Sequence, residues 1–236
     1  MTDNRLISAD LLKWFALITM FIDHIGAGII EKCFLARPGM YLLDRVIRTI
    51  GRPSFPIYCF LLIEGYKYTR SRYKYSLNLL IFALISEIPF DYLFRQRMTL
   101  NYQNVYFTLL LGFLAIWVGG LLEMKVNVAG MTEFLQILVA APFAILAHYL
   151  RTDYGAWGVM LIATLFIVRN QPRVILCIVG TIYMLTDSSE YAGIIAFILI
   201  LFYNGKRSGK INKYIFYSMY PLHLALYVGV RYLLTM

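Results

Sequence analysis

Long apolar runs recur along this chain and constrain its fold more than any other feature. Stretches such as IFALISEIPF and IIAFILILFY are almost continuously apolar, whereas the strands of a transmembrane β-barrel alternate apolar and polar residues. Apolar residues make up 60% of the chain and charged residues 15%, against about 45–50% and about 25% in soluble domains. Because too few charges are present to coat a soluble domain, the sequence predicts an all-α, polytopic helical bundle in a membrane.

Nine of these runs are candidates for spanning helices, since a span needs about 20 mostly apolar residues. The second, sixth, seventh and eighth are short, and one pair of them could be re-entrant or interfacial. The runs are 11–30, 53–67, 76–94, 104–122, 132–150, 155–169, 173–187, 190–204 and 214–234. The sequence therefore predicts about nine spans, within a range of eight to ten, in a single domain over residues 1–236.

The distribution of basic residues predicts a cytoplasmic N-terminus. In that orientation 13 Lys and Arg residues fall in the inner segments and 9 in the outer ones, and five of the 9 lie within residues 31–52. Inner loops are the basic ones in membrane proteins, so residues 31–52 are the exception. Within them Arg45, Arg48 and Arg52 have the spacing of one helix face. That face is either solvated or directed at an anion.

Net charge and cysteine content exclude other classes of function. The net charge is +9, which we assign to loops beside anionic lipid rather than to nucleic-acid binding, because no folded basic domain is present. Cys33, Cys59 and Cys177 form no C-x-x-C motif and are expected to be small buried hydrophobes. Three scattered histidines and no paired cysteines predict no metal site.

The first span carries an Asp-His pair in its interior, and an ionisable group inside a span is a functional candidate by default. Lys13 and His24 are eleven residues apart, within about 20° of three whole turns, so they share a helix face. The rise of about 16 Å places His24 near the midplane, where an imidazole can shuttle protons or act as a general base. Asp23 lies about 100° around the helix and either supports His24 or pairs with another span. The alternative is a structural Asp–His cluster between helices.

The third span places a second group of carboxylates in the membrane. Glu87 is close to the inferred depth of His24, Pro89 loosens the helix there, and Asp91 lies one turn further out. Glu87 could orient His24 or pair with an arginine from residues 45–52. The alternative is a structural ion pair.

The end of the second span combines cations with aromatic rings. Glu64 is followed by a basic segment interleaved with tyrosines, in which Tyr66, Lys67, Arg70 and Arg72 are the residues of interest. Cations suit phosphates and rings suit an adenine base, but an aromatic belt with cytoplasmic charge has the same composition. In the last span His223 follows Pro221, and a helix–helix hydrogen bond is the favoured role for it.

Four segments carry a resemblance to a known family. The runs LKWFALITMFIDHIG, IGRPSFPIYCFLLIEGYKYTRSRYKY, LLIFALISEIPFD and NVYFTLLLG resemble the TraX family of membrane proteins, which is named for a conjugative-pilin N-acetylase. The resemblance implies acetyl transfer from acetyl-CoA within a bacterial inner membrane. The chain is more remotely similar to membrane acyltransferases that O-acetylate surface glycans, which carry a basic residue, ten others and then His on the first span. Lys13 and His24 match that spacing, with Lys in place of the usual Arg.

Residues and resemblance together predict a membrane acetyltransferase with three groups of site residues. The catalytic group is His24, as base or acyl carrier, assisted by Asp23 and Glu87. Lys67, Arg70 and Arg72 are expected to bind the phosphates of acetyl-CoA. The candidates for substrate binding are Lys13, Arg45, Arg48, Arg52, Glu64, Tyr66, Asp91 and Asn104.

The expected partners are acetyl-CoA, membrane lipid, and an acceptor that is either the N-terminal amine of a pilin-like peptide or a glycan hydroxyl. Two other classes of protein remain open. One is a small proton-coupled transporter that uses Asp23, His24 and Glu87 as a relay. The other is a non-catalytic membrane scaffold.

Overall fold

The computed structural model describes residues 6–126, 128, 130–206 and 212–236, without the side chain of Lys213. The backbone of this part of the chain is helical, and its only β-pairings are isolated bridges from Ile7 to Tyr203 and from Gln103 to Thr152. The α-helices are α1 (Ala9–Ile25), α2 (Met40–Gly51), α3 (Ser54–Tyr68), α4 (Arg72–Arg95), α5 (Val105–Glu123), α6 (Met131–Tyr149), α7 (Gly155–Ile167), α8 (Arg173–Met184), α9 (Ile194–Leu201) and α10 (Lys213–Thr235). A π-helix, Gly26–Phe34, continues α1, and a 3₁₀ turn, Tyr191–Gly193, precedes α9. The all-α prediction is confirmed.

Five helical stretches of the described chain are long and apolar enough to cross a membrane. They are Ala9–Phe34, Met40–Tyr68, Arg72–Arg95, Val105–Glu123 and Met131–Tyr149. The first joins α1 to the π-helix, and the second joins α2 to α3. Length and composition therefore support a membrane protein, with five candidate spans among the described residues.

The predicted count of about nine spans is not confirmed. The predicted spans 155–169, 173–187 and 190–204 form α7, α8 and α9, which have only 13, 12 and 8 residues and are shorter than the roughly 20 residues of a crossing helix. Helix α10 covers the ninth predicted span but is less apolar than the five stretches that qualify. Among the residues that predict a cytoplasmic N-terminus, Arg5, Arg207 and Lys210 lie outside the described residues, as does the side chain of Lys213.

Side-chain caps set where three of the helices begin. Ser8, Asn104 and Asn212 have extended backbone conformations, and each side-chain oxygen accepts a hydrogen bond from a backbone N–H in the first helical turn. Such a cap satisfies a donor that has no partner within the helix. Prolines inside α4, α6 and α10 each remove one helical donor.

Backbone contacts divide the chain into two units. The first unit comprises Met1–Tyr58, Ser86–Thr99 and Thr181–Met236, and the second comprises Cys59–Ile85 and Leu100–Gly180. In the first unit α1, α2, the π-helix and α10 pack against one another. The single domain over residues 1–236 stays a prediction.

The second unit is built on α5, α6 and α7, each of which packs against the other two. Its buried core contains Ala140, Ala144 and Ala147, spaced along one face of α6. Gly112 of α5 has no room for a Cβ atom, because the Ile162 side chain of α7 occupies that position. Small residues at these contacts let the helix backbones approach closely, as is common between helices in membranes.

Candidate functional site

Two histidines from opposite ends of the chain meet inside the first unit. His24 lies on α1 and His223 on α10, and only 9% and 4% of their surfaces are exposed. Nδ1 of His24 and Nε2 of His223 are 2.6 Å apart, and the two ring planes are 3° from parallel. Parallel rings with two nitrogens this close meet edge to edge, so the hydrogen bond lies in the plane of both rings. The other nitrogen of His223, Nδ1, is 2.8 Å from the carbonyl oxygen of Met219.

Aromatic side chains hold both imidazoles in place. The rings of Phe94 and Tyr220 pack against His24 at steep interplanar angles of 72° and 67°, and Phe21 stacks on His223 with 4.4 Å between ring centroids. The Tyr227 ring packs edge-on against His223, and its hydroxyl donates to the backbone carbonyl of Phe21 at 3.2 Å. Packing from four aromatic rings fixes the orientation of the histidine pair.

Asp23, the neighbour of His24, pairs with another helix. Its carboxylate forms an ion pair with Arg48 of α2, and the same guanidinium lies 3.5 Å from the backbone carbonyl oxygen of Asp23. Two glycines make this approach possible. A Cβ atom at Gly51 would overlap the Asp23 side chain, and one at Gly26 would lie 3.0 Å from Cδ of Arg48. Of the two roles that the sequence left open for Asp23, the structure shows the pairing with another span.

The predicted arginine face binds carboxylates of the protein itself. Arg52 donates to Oε1 of Glu190 at 2.8 Å, while Arg48 binds Asp23. The guanidinium of Arg45 is exposed and lies 5.9 Å from the ring centroid of Tyr41. Two of the three cations are therefore directed at anions, but at anions supplied by this chain.

The carboxylates of α4 do not contact the ring of His24. Glu87 is buried in the first unit, but the polar partner that the structure gives His24 among the described residues is His223. Asp91 is completely buried, and its Oδ2 accepts a hydrogen bond from the backbone N–H of Thr99 at 2.7 Å. Asp91 thus holds the turn that follows α4. The hydrogen bond at Nδ1 of His24 is thus made with a histidine, and the predicted assistance of His24 by Asp23 or Glu87 stays a prediction.

Lys13 lies near the start of α1. Its ammonium is 3.0 Å from Oδ1 of Asp10 and 5.1 Å from the ring centroid of Phe216 on α10. The described residues contain no group of three or more His, Cys, Asp or Glu side chains placed to hold a metal ion.

The predicted residues for acetyl-CoA phosphates lie in the second unit. The guanidinium of Arg72 is 4.5 Å from the ring centroid of the buried Tyr66, and the Lys67 ammonium is 5.4 Å from that of Tyr68. The side chains of Lys67 and Arg70 are exposed, so their charges are accessible to an anion. Glu64 is half-buried.

Asn104 serves the fold at the start of α5. Its Oδ1 accepts from the N–H of Tyr106 at 3.0 Å, and its amide donates to the carbonyl of Ala83 at 2.8 Å. Both ends of the side chain are thus engaged within the second unit, which accounts for its complete burial.

Two residues that bind the predicted site residues, Glu190 and His223, were not assigned to the site from the sequence. Glu190 is the first residue of the predicted span 190–204, a span-end position that carries little functional information, and His223 is expected to make a helix–helix hydrogen bond. His223 does make a hydrogen bond between helices, and its partner is His24, the predicted catalytic residue. The proline beside His223 was the one local signal of an unusual helix.

The fold and this site define a class: an all-helical membrane protein whose first unit contains a buried histidine pair and two arginine–carboxylate pairs. The chain belongs to the TraX protein family, whose sequence model matches residues 8–231.

Two further proteins are similar to this chain. The chain is 28% identical over 261 residues to a protein of Dichelobacter nodosus named probable fimbrial assembly protein FimC, serogroup H1, and the match covers 98% of both chains. It is also 33% identical over 100 residues to an uncharacterized protein of Rickettsia prowazekii (strain Madrid E), covering 42% of this chain and 33% of that protein. No solved structure matches.

Proposed function

We propose that this protein is a membrane-embedded acetyltransferase of the bacterial inner membrane, which moves an acetyl group from cytoplasmic acetyl-CoA to an amine or a hydroxyl. The observation that carries the proposal is the state of His24. The ring is buried and oriented, Nδ1 is engaged by His223, and Nε2 has no hydrogen-bond partner among the described residues. An oriented imidazole with one nitrogen left for substrate is what a general base or a nucleophile requires.

As a general base, His24 takes the proton of the acceptor. The acceptor nitrogen or oxygen attacks the thioester carbonyl carbon of acetyl-CoA while its proton passes to Nε2. The tetrahedral intermediate collapses, the carbon–sulfur bond breaks, and the leaving thiolate recovers the proton from His24. The products are the acetylated acceptor and free CoA, so atoms and charge balance. Proton transfer of this kind contributes roughly 10²–10⁴-fold to the rate.

As an acyl carrier, His24 is itself acetylated. Nε2 attacks the thioester carbon, the carbon–sulfur bond breaks and CoA leaves as the thiolate. The acceptor then attacks the acetyl carbon, the bond from that carbon to Nε2 breaks, and the acceptor's proton neutralises the thiolate, which regenerates neutral His24. Both routes use the same nitrogen, and both need that nitrogen without a proton. The carrier route additionally allows the acetyl group to be passed on after CoA has left.

Charge supports acetyl-CoA as the donor. Lys67, Arg70 and Arg72 supply cations, the first two of them exposed, and cations suit the phosphates of CoA. For the acceptor, the relative from Dichelobacter nodosus carries the name of a fimbrial assembly protein, which favours the N-terminal amine of a pilin-like peptide over a glycan hydroxyl.

The test is a turnover assay on the full chain in lipid nanodiscs. Radiolabelled acetyl-CoA is supplied with a synthetic pilin-like peptide bearing a free N-terminal amine and, in parallel, with a short oligosaccharide. We expect label transfer to one acceptor and a fall of roughly 10²-fold or more in His24→Gln. The matched control is His148→Gln, because His148 is exposed at the end of α6 and outside the site, so its turnover should equal that of the wild type.

Two results would overturn the proposal. One is full turnover in a folded His24→Gln variant. The other is a wild-type protein that neither transfers label nor binds radiolabelled acetyl-CoA, which a proton-coupled transporter or a non-catalytic scaffold would produce.

A further inference from the structure

We infer that His223 is a positioning residue that fixes the tautomer of His24 and so leaves Nε2 of His24 unprotonated. The inference rests on the proposed function for its catalytic meaning, whereas the tautomer itself is a property of the folded protein. It starts from two contacts of His223, one with a backbone carbonyl and one with His24.

The first contact decides where His223 carries its proton. Nδ1 of His223 lies 2.8 Å from the carbonyl oxygen of Met219. A carbonyl oxygen only accepts hydrogen bonds, so Nδ1 must be the donor. In a neutral imidazole the other nitrogen is then an acceptor with a lone pair. Nε2 of His223 therefore accepts.

The second contact determines which nitrogen of His24 carries the proton. Nε2 of His223 lies 2.6 Å from Nδ1 of His24, and the rings are coplanar enough for a linear bond in the ring plane. If Nδ1 of His24 also carried a lone pair, two lone pairs would face each other at hydrogen-bond distance. Nδ1 of His24 must therefore donate, and Nε2 of the neutral His24 ring carries the lone pair.

The surroundings of the pair favour its neutral form. The rings that enclose it belong to Phe21, Phe94, Tyr220 and Tyr227. The nearest carboxylate in sequence, Asp23, is bound to Arg48. A positive charge on either imidazole would be buried, and the described residues give neither ring a hydrogen bond to a carboxylate, so that charge would be costly. The alternative in which His223 is doubly protonated and donates at both nitrogens is therefore disfavoured.

The contact between the two histidines also gives the Nδ1 proton of His24 a place to go during the reaction. When Nε2 of His24 gains the acceptor's proton or an acetyl group, the ring becomes positively charged. The Nδ1 proton can then move to Nε2 of His223, which spreads the charge over two rings, and it returns when the thiolate is protonated. A histidine thus holds the place that a carboxylate holds in other base-orienting pairs.

Nitrogen-15 NMR of histidine-labelled protein in nanodiscs tests the assignment directly. The chain has three histidines, so the His148→Gln variant reduces the spectrum to the pair. We expect both rings to be protonated at Nδ1 and unprotonated at Nε2, whereas free imidazole side chains in water mostly carry the proton at Nε2. A spectrum with His24 protonated at Nε2 would overturn the inference.

Substitution of His223 supplies the functional arm. His223→Leu removes the acceptor, so His24 should lose its tautomer preference, with turnover falling roughly 10²-fold and the KM for acetyl-CoA unchanged. His223→Gln can accept from Nδ1 through its amide oxygen and should restore part of both readouts. Unchanged tautomers in a folded His223→Leu variant would sink the assignment. If the wild type shows the expected tautomers but transfers no acetyl group, the proposed function fails and the tautomer assignment stands.

Discussion

Arg52 at the end of α2 donates a hydrogen bond of 2.8 Å to the carboxylate of Glu190, a residue 138 positions further along the chain. Only 18% and 6% of the two side chains are exposed. A charge this buried is tolerated when its partner is present and becomes destabilising when the partner is removed. The pair therefore fastens α2 to the turn before α9 within the first unit.

Removal of the Glu190 carboxylate should destabilise the first unit. Glu190→Gln removes the carboxylate charge to which the Arg52 guanidinium is hydrogen-bonded, so we expect the free energy of unfolding to fall by about 2–3 kcal/mol, the lower end for a buried pair because Arg52 is partly exposed. Reversible unfolding in mixed detergent micelles measures it. The control is Arg45→Ala, an exposed residue of the same helix, for which less than about 0.5 kcal/mol is expected. Additive effects of Arg52→Ala and Glu190→Gln in a double-mutant cycle would contradict the prediction.

Gly51 is a position where one methyl group should be harmful. A Cβ atom there would overlap the side chain of Asp23, so Gly51→Ala must push α2 away from α1 and weaken the Arg48 ion pair. We expect a loss of about 1–3 kcal/mol in stability and lower acetyl transfer. Gly229→Ala in α10 is the matched control, because a Cβ atom there meets nothing within 4 Å. Since Ala is the better helix former by about 1 kcal/mol, this control should be neutral or stabilising, and equal losses in both variants would refute the clash.

Local patterns of the sequence predicted the helices and part of the site. The spacing of Arg45, Arg48 and Arg52 indicated one helix face, and α2 extends from Met40 to Gly51 with Arg52 as its C-cap. The position of Asp23 on α1 indicated that it could face away from His24, and it binds Arg48. These inferences succeeded because helical spacing depends only on neighbours along the chain.

Helical spacing could not predict which residues pair across long distances in the sequence. His24 and His223 are 199 residues apart, and Arg52 and Glu190 are 138 apart, and no periodicity relates positions so distant. The predicted span count is not confirmed, for a different reason. Hydropathy marks a run as apolar but does not fix how much of it is helical, and α7, α8 and α9 are each shorter than their apolar runs.

Charge reversal at Arg70 tests the assignment of the phosphate-binding residues. Arg70 is exposed in the second unit, so Arg70→Glu should fold normally while repelling the phosphates of acetyl-CoA. We expect the KM for acetyl-CoA to rise roughly three- to tenfold with little change in kcat, and the effect to shrink at high salt.

The donor supplies a control for this variant. Acetyl-dephospho-CoA lacks the 3′-phosphate, so the penalty of Arg70→Glu should be smaller with it than with acetyl-CoA. An unchanged KM for both donors would remove Arg70 from the site.

Asp187 lies in the turn before Glu190 and gives a pH-dependent contribution to stability. The backbone N–H and the hydroxyl of Ser189 both donate to its Oδ1 at 2.8 Å, and these bonds lower the pKa of Asp187 below its ordinary value. Because the folded pKa is the lower one, the stabilisation is fully present above about pH 4 and is lost as the pH falls through the folded pKa.

The melting temperatures of the wild type and Asp187→Ala across this pH range check that sign. The wild type should melt higher near neutral pH, and the difference should vanish in acid. A difference that grew as the pH fell would contradict it.

The π-helix that continues α1 has a consequence for length variation. Each of its hydrogen bonds encloses one residue more than an α-helical bond does. The turns of Gly26–Phe34 are therefore wider than those of α1 and contain more residues. Deleting one residue there can be absorbed by tightening a turn to α-helical geometry, while a deletion upstream of His24 would swing the imidazole by about 100° away from His223. A one-residue deletion should accordingly be tolerated after Gly26 and not tolerated between Ala9 and His24.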